Sequence, residues 1–434
     1  MMQNIPFLRG GEKIWFETPE VSFSGNAFLP VTAIVPVRQH AGSDARPLIR
    51  AGDRVREGQL IARSQDQASS NIHAPIPGIL HSWKETSLPD GTLGLAAVIH
   101  LSGSFDILGR KEEHYPWQSS PVSEIFRLLE DRGAVNTVYG GAPLVPQMRA
   151  LKQEPTRALI LRAFDEDPTT MLDTLLWNSF QDHVLIGAAI IAKALEAKTT
   201  CILHHDKQWT VASPTSLEQL FPDSDVIPVK AAKKYPGGSI HRIFNILDSL
   251  KESIPSNRLV IDPSTALSVY DIIVKNQPIV QQRILVTGPA VQRTSFFTTR
   301  IGTTIGDVIE ECGGFKSEPG RIIINGLLSG ISIHDLDTPI TKSVKSVHLL
   351  DHDASPDQKT KECIHCGLCL RVCPANLDPM RLAAGIRKNN ESRELIESCE
   401  RCQHCGCCAM VCPSRIPLHH IIREASFMVK ESAE

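Results

Sequence analysis

CIHCGLCLRVCP, residues 363–374, and CQHCGCCAMVCP, residues 402–413, are two copies of one cysteine pattern. Each copy reads C-x2-C-x2-C-x3-C-P, and ten of the twelve cysteines of the chain lie between Cys363 and Cys412. Thiolates at this spacing can surround a small inorganic body, because a tight loop turns three of them inward together. We therefore expect a metal-cluster domain here, with the proline after each run ending its loop.

The spacing predicts how the cysteines of the two runs divide between two [4Fe–4S] clusters. Three cysteines at C-x2-C spacing reach three iron atoms of one cluster, whereas the fourth cannot easily bend back to it. In bacterial two-cluster ferredoxins, which show this pattern, the fourth cysteine ligates the other cluster. The predicted ligands are Cys363, Cys366, Cys369 and Cys412 for cluster 1, and Cys402, Cys405, Cys408 and Cys373 for cluster 2.

Other interpretations of the cysteines have less support. Zinc ribbons need only paired C-x2-C units and lack the C-P ending, and disulfides are not expected without a secretory signal. Cys399 stands one C-x2-C step before Cys402, so the register could slip by one step, but the slip would lose the x3-C-P ending. Cys399 and Cys407 are left without a predicted role. His365 and His404 are expected beside the clusters rather than as ligands, because cysteine already supplies the full set.

Length and composition indicate a multidomain chain of ordinary globular type. The 434 residues predict two to four domains, at about 150 residues each. A formal net charge of -3 and the lack of a basic tract argue against nucleic-acid binding. Residues 1–5 lack the regions of a signal peptide, and the longest apolar stretch, residues 183–192, is shorter than the roughly 20 residues that span a bilayer. We expect a soluble or peripheral protein in a reducing compartment, with no direct membrane span.

The N-terminal part is expected to combine an arm, residues 1–27, with a small barrel, residues 28–112. Turns separate short β-rich runs in GDRVREGQ, residues 52–59, and in IHAPIPGIL, residues 72–80. Their order resembles the barrel-sandwich fold of lipoyl and biotinyl carriers. Such a carrier needs a lysine at the tip of the intervening hairpin, and residues 63–72 hold none. We expect this domain to serve structure or docking rather than to swing as a carrier arm.

The rest of the chain predicts three further domains. Strands and helices alternate over residues 118–280, which argues for a mostly parallel sheet, and strands around a single helix over 281–350 indicate a small β-grasp domain. A polar linker leads to a helical two-cluster domain, residues 358–434. The predicted helices are 122–129, 170–178, 185–195, 241–250, 304–312, 378–388, 391–398 and 417–434, and the predicted strands are 156–163, 199–203, 225–229, 283–288, 296–300 and 321–326.

This order of domains resembles the RnfC family (also called RsxC), the peripheral subunit of the Rnf ion-translocating electron transport complex. The middle and β-grasp regions also look like the flavin-bearing subunit of complex I and its SLBB-like neighbour. The fold implied is multidomain α/β, with a lipoyl-like barrel sandwich, a flavin-subunit-like domain, a β-grasp domain and a helical ferredoxin domain. Besides both cysteine runs, the segments that carry the resemblance are residues 38–42, 47–61, 234–238, 286–288 and 300–303.

The resemblance implies that electrons pass between NADH and a bound FMN, then through the two clusters to the membrane subunits of the complex, which include a ferredoxin-like subunit. Electron flow there is coupled to Na⁺ or H⁺ translocation, so the chain would be a subunit of an oxidoreductase of the translocase class. It would lie peripherally on the cytoplasmic face of the inner (cell) membrane. Two alternatives stay open: a relay and docking subunit without catalysis of its own, and an iron–sulfur subunit of a soluble dehydrogenase.

The resemblance also implies flavin- and NADH-binding residues, namely Gly140, Gly141, Asp165 and Asp167. The family cradles FMN with a loop G-L-G-G-A-G-F-P-T, and the matching stretch is YGGAPLVPQ, residues 139–147. Replacing glycine restricts the backbone and the approach of amides to a phosphate. The family's N-G-x-E-x-E-P segment matches RAFDEDP, residues 162–168, with shorter acids and an arginine in place of asparagine. The alternative is an ordinary loop for the glycines and a charge pair at a helix N-terminus for the acids.

Overall fold

The computed structural model describes residues 3–4, 10–14, 19–40, 42–105, 116–205, 216–250, 254–354, 359–387 and 398–433. Within these ranges the strands form five sheets. Three β-containing parts follow one another along the chain, and a helical part ends it. This architecture confirms the predicted fold class.

The N-terminal arm adds one strand to each of two sheets that later parts of the chain form. Strand β1 (Gln3–Asn4) pairs in parallel at the edge of the α/β sheet, and strand β2 (Phe23–Asn26) pairs in parallel at the edge of the β-grasp sheet. Phe23 packs edge-on against Phe180 and Phe296, with ring centroids 5.1 and 5.3 Å away. The arm therefore links two domains, a role that its sequence did not indicate.

The barrel sandwich encloses a compact apolar core between two small sheets. Alternate strand residues point into this core, and Ile61, Ile72, Leu80 and Ile99 are buried there. Its strands are β3 (Thr32–Pro36), β4 (Arg46–Pro47), β5 (Arg54–Val55), β6 (Leu60–Arg63), β7 (Ile72–His73), β8 (Gly78–Ser87) and β9 (Leu93–Leu101). The sheets have the orders β3-β9-β8-β5 and β4-β6-β7, and all pairs are antiparallel.

A five-stranded parallel sheet forms the centre of the α/β part, as the alternating pattern predicts. The strands are β10 (Val135–Asn136), β11 (Ala142–Pro143), β12 (Ala158–Arg162), β13 (Thr199–His204), β14 (Asp225–Lys230) and β15 (Arg258–Ile261). The helices are α1 (Val122–Asp131), α2 (Leu144–Leu151), α3 (Leu172–Leu195), α4 (Leu217–Leu220), α5 (Ile240–Asp248) and α6 (Pro263–Ile273). The sheet order is β1-β14-β13-β12-β15, whereas β10 and β11 form a separate antiparallel pair.

Helix α3 joins two helices that were predicted separately. The segment is broken only at Phe180, whose φ of -135° is not helical. Its second half is buried because α6 packs closely against it. An added Cβ at Gly187 would stand 1.9 Å from the carbonyl oxygen of Ala266, so the two backbones touch there and glycine is required.

The β-grasp part has one helix against a mixed sheet, as predicted. Helix α7 (Ile305–Glu311) begins at Thr304, whose Oγ1 accepts a hydrogen bond of 3.1 Å from the amide of Asp307. The strands are β16 (Gln281–Thr287), β17 (Ser295–Arg300), β18 (Pro319–Ile324), β19 (Ile331–Ile333) and β20 (Ser346–Asp351). The sheet order is β19-β18-β20-β16-β17-β2.

The C-terminal part is helical, and residues 359–387 and 398–433 contain no strand. Asp378 caps its second helix, accepting a 3.0 Å hydrogen bond from the amide of Arg381. The predicted helix over 391–398 falls almost wholly outside the described residues. The helices are α8 (Leu368–Val372), α9 (Pro379–Arg387), α10 (Cys407–Met410) and α11 (Leu418–Ala433). Among the described helices, none has the length and apolar character that a bilayer crossing requires.

Candidate functional site

The first group of predicted ligands lines a cavity of about 190 Å³ in the helical part. Three of them come from the first run and one from the second: Cys363, Cys366, Cys369 and Cys412. The amide of His365 donates to Cys363 Sγ at 3.4 Å, and the amide of Ile416 donates to Cys412 Sγ at 3.5 Å. Such N–H···S bonds stabilise thiolates, which are the form that binds iron.

The second group lines a separate cavity. Cys373 comes from the first run, and Cys402, Cys405 and Cys408 come from the second. The amide of Leu377 donates to Cys373 Sγ at 3.3 Å. The structure therefore brings the eight cysteines together in two groups of four, each with three members from one run and one from the other. Their role as iron ligands stays a prediction.

The two loops share an unusual backbone conformation at matching positions. The φ angles are 52° and 49° at His365 and His404, and 72° and 73° at Gly367 and Gly406. A left-handed conformation costs a non-glycine residue roughly 1 kcal/mol or more, so it persists only where the surroundings require it. The same strain in both loops indicates that they are shaped for the same kind of occupant.

The sequence pattern of the two runs favours an iron–sulfur cluster over zinc, because zinc ribbons lack the C-P ending. Among the described residues, no group of three or more His, Cys, Asp or Glu side chains is placed to hold a single metal ion. All twelve cysteines are free thiols.

The cysteines without a predicted role are both buried. Cys399 is packed among Leu377, Leu382 and Ile422 and lines neither cavity. The slipped register, which would use Cys399 as a ligand, therefore has no support from its position. Cys407 lines the second cavity beside the predicted ligands, a position that spacing alone did not reveal.

Both cysteine runs contact the body of the protein, the second at Cys405 and the end of the first at Val372. Tyr235 Oη donates to the carbonyl oxygen of Cys405 at 2.6 Å. The amide of Gly11 donates to the carbonyl oxygen of Val372 at 2.7 Å, and Glu12 exchanges two backbone hydrogen bonds of 2.9 Å with Tyr235. The arm and the α/β domain therefore fix the cluster domain in place. Sequence reasoning marked residues 234–238 only as a family segment and missed this contact.

A second candidate site is a cavity of about 300 Å³ where the barrel, α/β and β-grasp domains meet. Gly140, Asp165 and Asp167 line it, as do Arg162 and Lys345. Gly141 is not in the cavity lining. An added Cβ on it would stand 3.1 to 3.2 Å from the Cβ atoms of Ser343 and His40. Three of the four residues implied for flavin or NADH are thus brought together.

The two acidic residues of this cavity are engaged in hydrogen bonds within the protein. Asp165 accepts from the amides of Asp173 and Thr174, at 2.8 and 3.0 Å, and so caps the start of α3. Burial and the nearby carboxylate of Asp173 raise the pKa of Asp165 to about 7. Asp167 accepts from the amides of Leu328 and Ser329, both at 2.9 Å, and so binds the β-grasp domain. Both carboxylates have structural roles here.

A buried ion-pair network borders the cavity, whose lining includes its members Lys345, Asp173 and Arg162. Lys345 Nζ lies 2.6 Å from Asp173 Oδ2 and 2.7 Å from Asp262 Oδ2. Burial alone would raise the pKa of Asp262, but Lys345 and Arg162 lower it well below its usual range. Arg162 also donates to Glu166 at 3.1 Å, so the cations are neutralised by the protein's own acids.

The residues of the cavity do not fit FMN well. Two amides of the loop that should cradle a phosphate already have protein acceptors: that of Gly141 donates to the carbonyl of Asn136, and that of Leu144 to the carbonyl of Ala134. Just before the loop, the amide of Thr137 donates to Thr265 Oγ1 and that of Val138 to Asn136 Oδ1. A phosphate would have to displace these bonds and compete with carboxylates for Arg162 and Lys345.

Three family models match parts of the chain. They are the RnfC barrel sandwich hybrid domain over residues 24–103, the SLBB domain over 283–330 and the 4Fe-4S dicluster domain over 362–416. In fold, the chain is similar to an NAD⁺-reducing [NiFe]-hydrogenase chain in the air-oxidized state, with a TM-score of 0.50 over 87% of this chain and 79% of that one at 15% identity.

Relatives along most of the chain are the C subunits of one type of complex. That of the proton-translocating ferredoxin:NAD(+) oxidoreductase complex of Clostridium ljungdahlii is 30% identical over 82% of this chain and 78% of its own length. That of the ion-translocating oxidoreductase complex of Rhodobacter capsulatus is 26% identical, over 82% and 70%. That of the Na(+)-translocating ferredoxin:NAD(+) oxidoreductase complex of Acetobacterium woodii is 24% identical, over 83% and 82%. The chain belongs to the RnfC family of ion-translocating oxidoreductase complexes.

Proposed function

We propose that this chain is the electron-relay subunit of an Rnf-type complex, which couples electron transfer between NADH and ferredoxin to ion translocation. The observation that carries the proposal is the grouping of eight cysteines around two neighbouring cavities in one domain. Two [4Fe–4S] clusters, when bound there, would accept and pass on single electrons. Membership of the RnfC family supports the same assignment, because its members belong to such complexes.

The protein's own residues hold the cluster sites rigid. Backbone amides donate to the sulfurs of Cys363, Cys373 and Cys412. Hydrogen bonds from Tyr235 and Gly11 fix the domain against the body. Rigid sites keep the rearrangement on electron transfer small, which is the contribution a protein makes to its cofactors' chemistry.

We infer that this chain relays electrons without a flavin at the Gly140 loop. Asp165 and Asp167 already accept hydrogen bonds from backbone amides, and amides of the Gly140 loop already donate to protein acceptors. Together with the ion-pair network, these bonds favour this form of the function over one with its own NADH and FMN reaction. On this proposal the ion pairs and hydrogen bonds around the three-domain cavity hold together the domains that carry the cluster domain. No step of the relay is routed through it.

We further propose that the protein lies on the cytoplasmic face of the membrane and meets its partner subunits, including a ferredoxin-like one, near cluster 1. Three large apolar side chains are exposed in the cysteine runs: Ile364 by 67%, Leu370 by 51% and Met410 by 40%. Exposed apolar side chains of this kind are typical of interaction surfaces. Cys366 is itself exposed, which suits transfer to a partner.

A cofactor inventory tests the proposal. The full chain, reconstituted with iron and sulfide under anaerobic conditions, is expected to hold about eight iron atoms, since each [4Fe–4S] cluster has four. Flavin released by denaturation is expected to be absent. A content of one zinc or no iron would overturn the relay, and stoichiometric FMN that NADH reduces would overturn the flavin-free form.

Membrane fractionation of producing cells tests the location. The chain is expected to sediment with membranes in low salt and to leave them when the partner subunits are deleted. Recovery in a stable soluble complex regardless of those subunits would instead identify a component of a soluble dehydrogenase.

A further inference from the structure

The two cysteine loops have the same backbone but different surroundings. In the first loop, Ile364, Cys366 and Leu370 are exposed. The second loop lies against the body, where Tyr235 binds the carbonyl of Cys405. An added Cβ at Gly406 would stand 2.6 Å from the carbonyl oxygen of Leu328. The first predicted cluster site therefore has an exposed ligand, Cys366, whereas residues of other domains contact the loop of the second.

The start of helix α5 brings a positive charge to this side of the second loop. Its N-cap, Ser239, donates from Oγ to Gln403 Oε1 at 3.4 Å, within the second loop. Arg242 follows in the first turn of the helix and is only 5% exposed. Burial lowers the pKa of Arg242, whereas the nearby thiols of Cys405, Cys373 and Cys407 act to raise it. Two of these three are predicted ligands of cluster 2.

A buried guanidinium needs negative charge nearby, because removing it from water is costly. Four thiolates leave an iron–sulfur site with net negative charge, and a reducing electron adds one more unit. No bond is formed or broken in that step and no proton moves. A fixed cation beside the site therefore stabilises the reduced form more than the oxidised form.

Cluster 1 has the opposite charge at its margin. Asp378 lines the first cavity, and its counterpart in the second run is Pro417. A carboxylate disfavours the added electron. Because Asp378 is exposed, water screens its charge, so its effect should be smaller than that of Arg242.

We propose that Arg242 is a positioning residue that raises the reduction potential of cluster 2, and that Asp378 lowers the potential of cluster 1. The two cysteine loops have matching backbone conformations, but the charges beside them differ, so the two clusters should have different reduction potentials. This inference rests on the proposed cluster assignment. It adds to the proposed relay a residue of the α/β domain that favours reduction of cluster 2.

An anaerobic redox titration of the reconstituted full chain, followed by electron paramagnetic resonance, tests the proposal. Arg242→Gln is expected to lower the midpoint potential of one cluster and leave the other unchanged. Arg242→Lys keeps the charge and is expected to stay near the wild-type midpoints. Asp378→Asn keeps the helix cap and is expected to raise the midpoint of the other cluster by a smaller amount. Iron content, measured first, should equal that of wild type in all three.

The outcomes separate this inference from the proposed function. A wild-type chain without about eight irons would overturn the relay itself. With both clusters present, unchanged midpoints in Arg242→Gln, or equal shifts of both clusters, would overturn the role of Arg242. A shift of the same size in Arg242→Lys would point to packing instead of charge and overturn it as well. If Arg242→Gln loses iron, Arg242→Lys decides: retained iron and midpoint support a charge role, and loss of iron in both contradicts it.

Discussion

Replacing Lys345 by methionine should destabilise the region where three domains meet. The substitution leaves the carboxylates of Asp173 and Asp262, each at most 1% exposed, without their ammonium partner. Removing one partner of a buried pair costs about 3 to 5 kcal/mol. Asp173 keeps the hydroxyl of Ser264 at 2.8 Å and Asp262 keeps that of Thr265 at 2.7 Å. These remaining donors place the expected loss at the lower end, about 3 kcal/mol.

The loss should depend on pH in a defined direction. With Lys345 and Arg162 in place, the pKa of Asp262 lies below its unfolded value despite burial, so its contribution to stability is present above the unfolded pKa, about 4, and is lost as pH falls. Without Lys345, burial raises the pKa of both carboxylates. The variant is then stabilised by protonation in acid. The difference from wild type should therefore be large at pH 7 and smaller at pH 5.

Lys342→Met is the matched control. Lys342 comes from the same loop and is also buried, but its Nζ is held by the Asn71 and Gly133 carbonyls, at 2.7 and 2.9 Å, and the Ser70 hydroxyl, at 3.2 Å, rather than by carboxylates. Burial lowers its pKa from 10.5 to about 7. The ionisation of Lys342 therefore changes the free energy of unfolding between about pH 7 and 10.5, where wild-type stability rises with pH. From pH 5 to 7 the loss in this variant should change little.

Hydrogen exchange, corrected for intrinsic rates and read in strands β12 and β15 at pH 5 and 7, measures both losses locally. These strands carry Arg162 and lead into Asp262. Equal losses at the two pH values for Lys345→Met, or a pH dependence shared with Lys342→Met, would refute the role given to the ion pairs.

Two further predictions concern the clusters and the packing of the body. Cys366→Ser should lower bound iron by about half while Cys407→Ser retains it, because only the first is a predicted ligand; loss of a cluster in Cys407→Ser on iron analysis would show that the ligand assignment is wrong. Gly187→Ala should cost about 2 kcal/mol in urea unfolding because the new Cβ meets the Ala266 carbonyl. Gly306→Ala, in a helix where the new Cβ would come no closer than 3.6 Å to its neighbours, should be neutral or stabilising by about 0.5 kcal/mol; equal effects would contradict the backbone contact.

The grouping of the cysteines was predictable because the signal of each run is local. The predicted ligands of each run lie within a few residues of one another, so spacing alone predicts which thiols share a loop. The parallel sheet and the barrel were predictable for a similar reason, since alternation of short apolar runs and turns reports which side chains face a core. What spacing could not show is that Cys407 also enters the second cavity, because that depends on how the loop folds back.

The three-domain cavity could not be predicted from its residues. The resemblance implied that Asp165 and Asp167 bind a ligand, yet both accept hydrogen bonds from the protein itself. The charges of this cavity are balanced by Lys345 as well as Arg162, and these two residues lie far apart in the sequence. Similarly, nothing in residues 23–26 predicted a strand, because its pairing partner lies in a later domain.

The sequence by itself determined which groups can bind a cofactor, namely two sets of thiols. It also determined that the chain has an ordinary apolar core and in which order its domains follow one another. Tertiary structure decided where that chemistry is placed. It held the second cysteine loop against Tyr235, left Cys366 of the first loop exposed, and filled the cavity beside Gly140 with ion pairs. The physical reason is the distance along the chain over which each interaction acts. Thiol spacing and backbone turns act over a few residues, whereas burial and charge pairing depend on residues that only folding brings together.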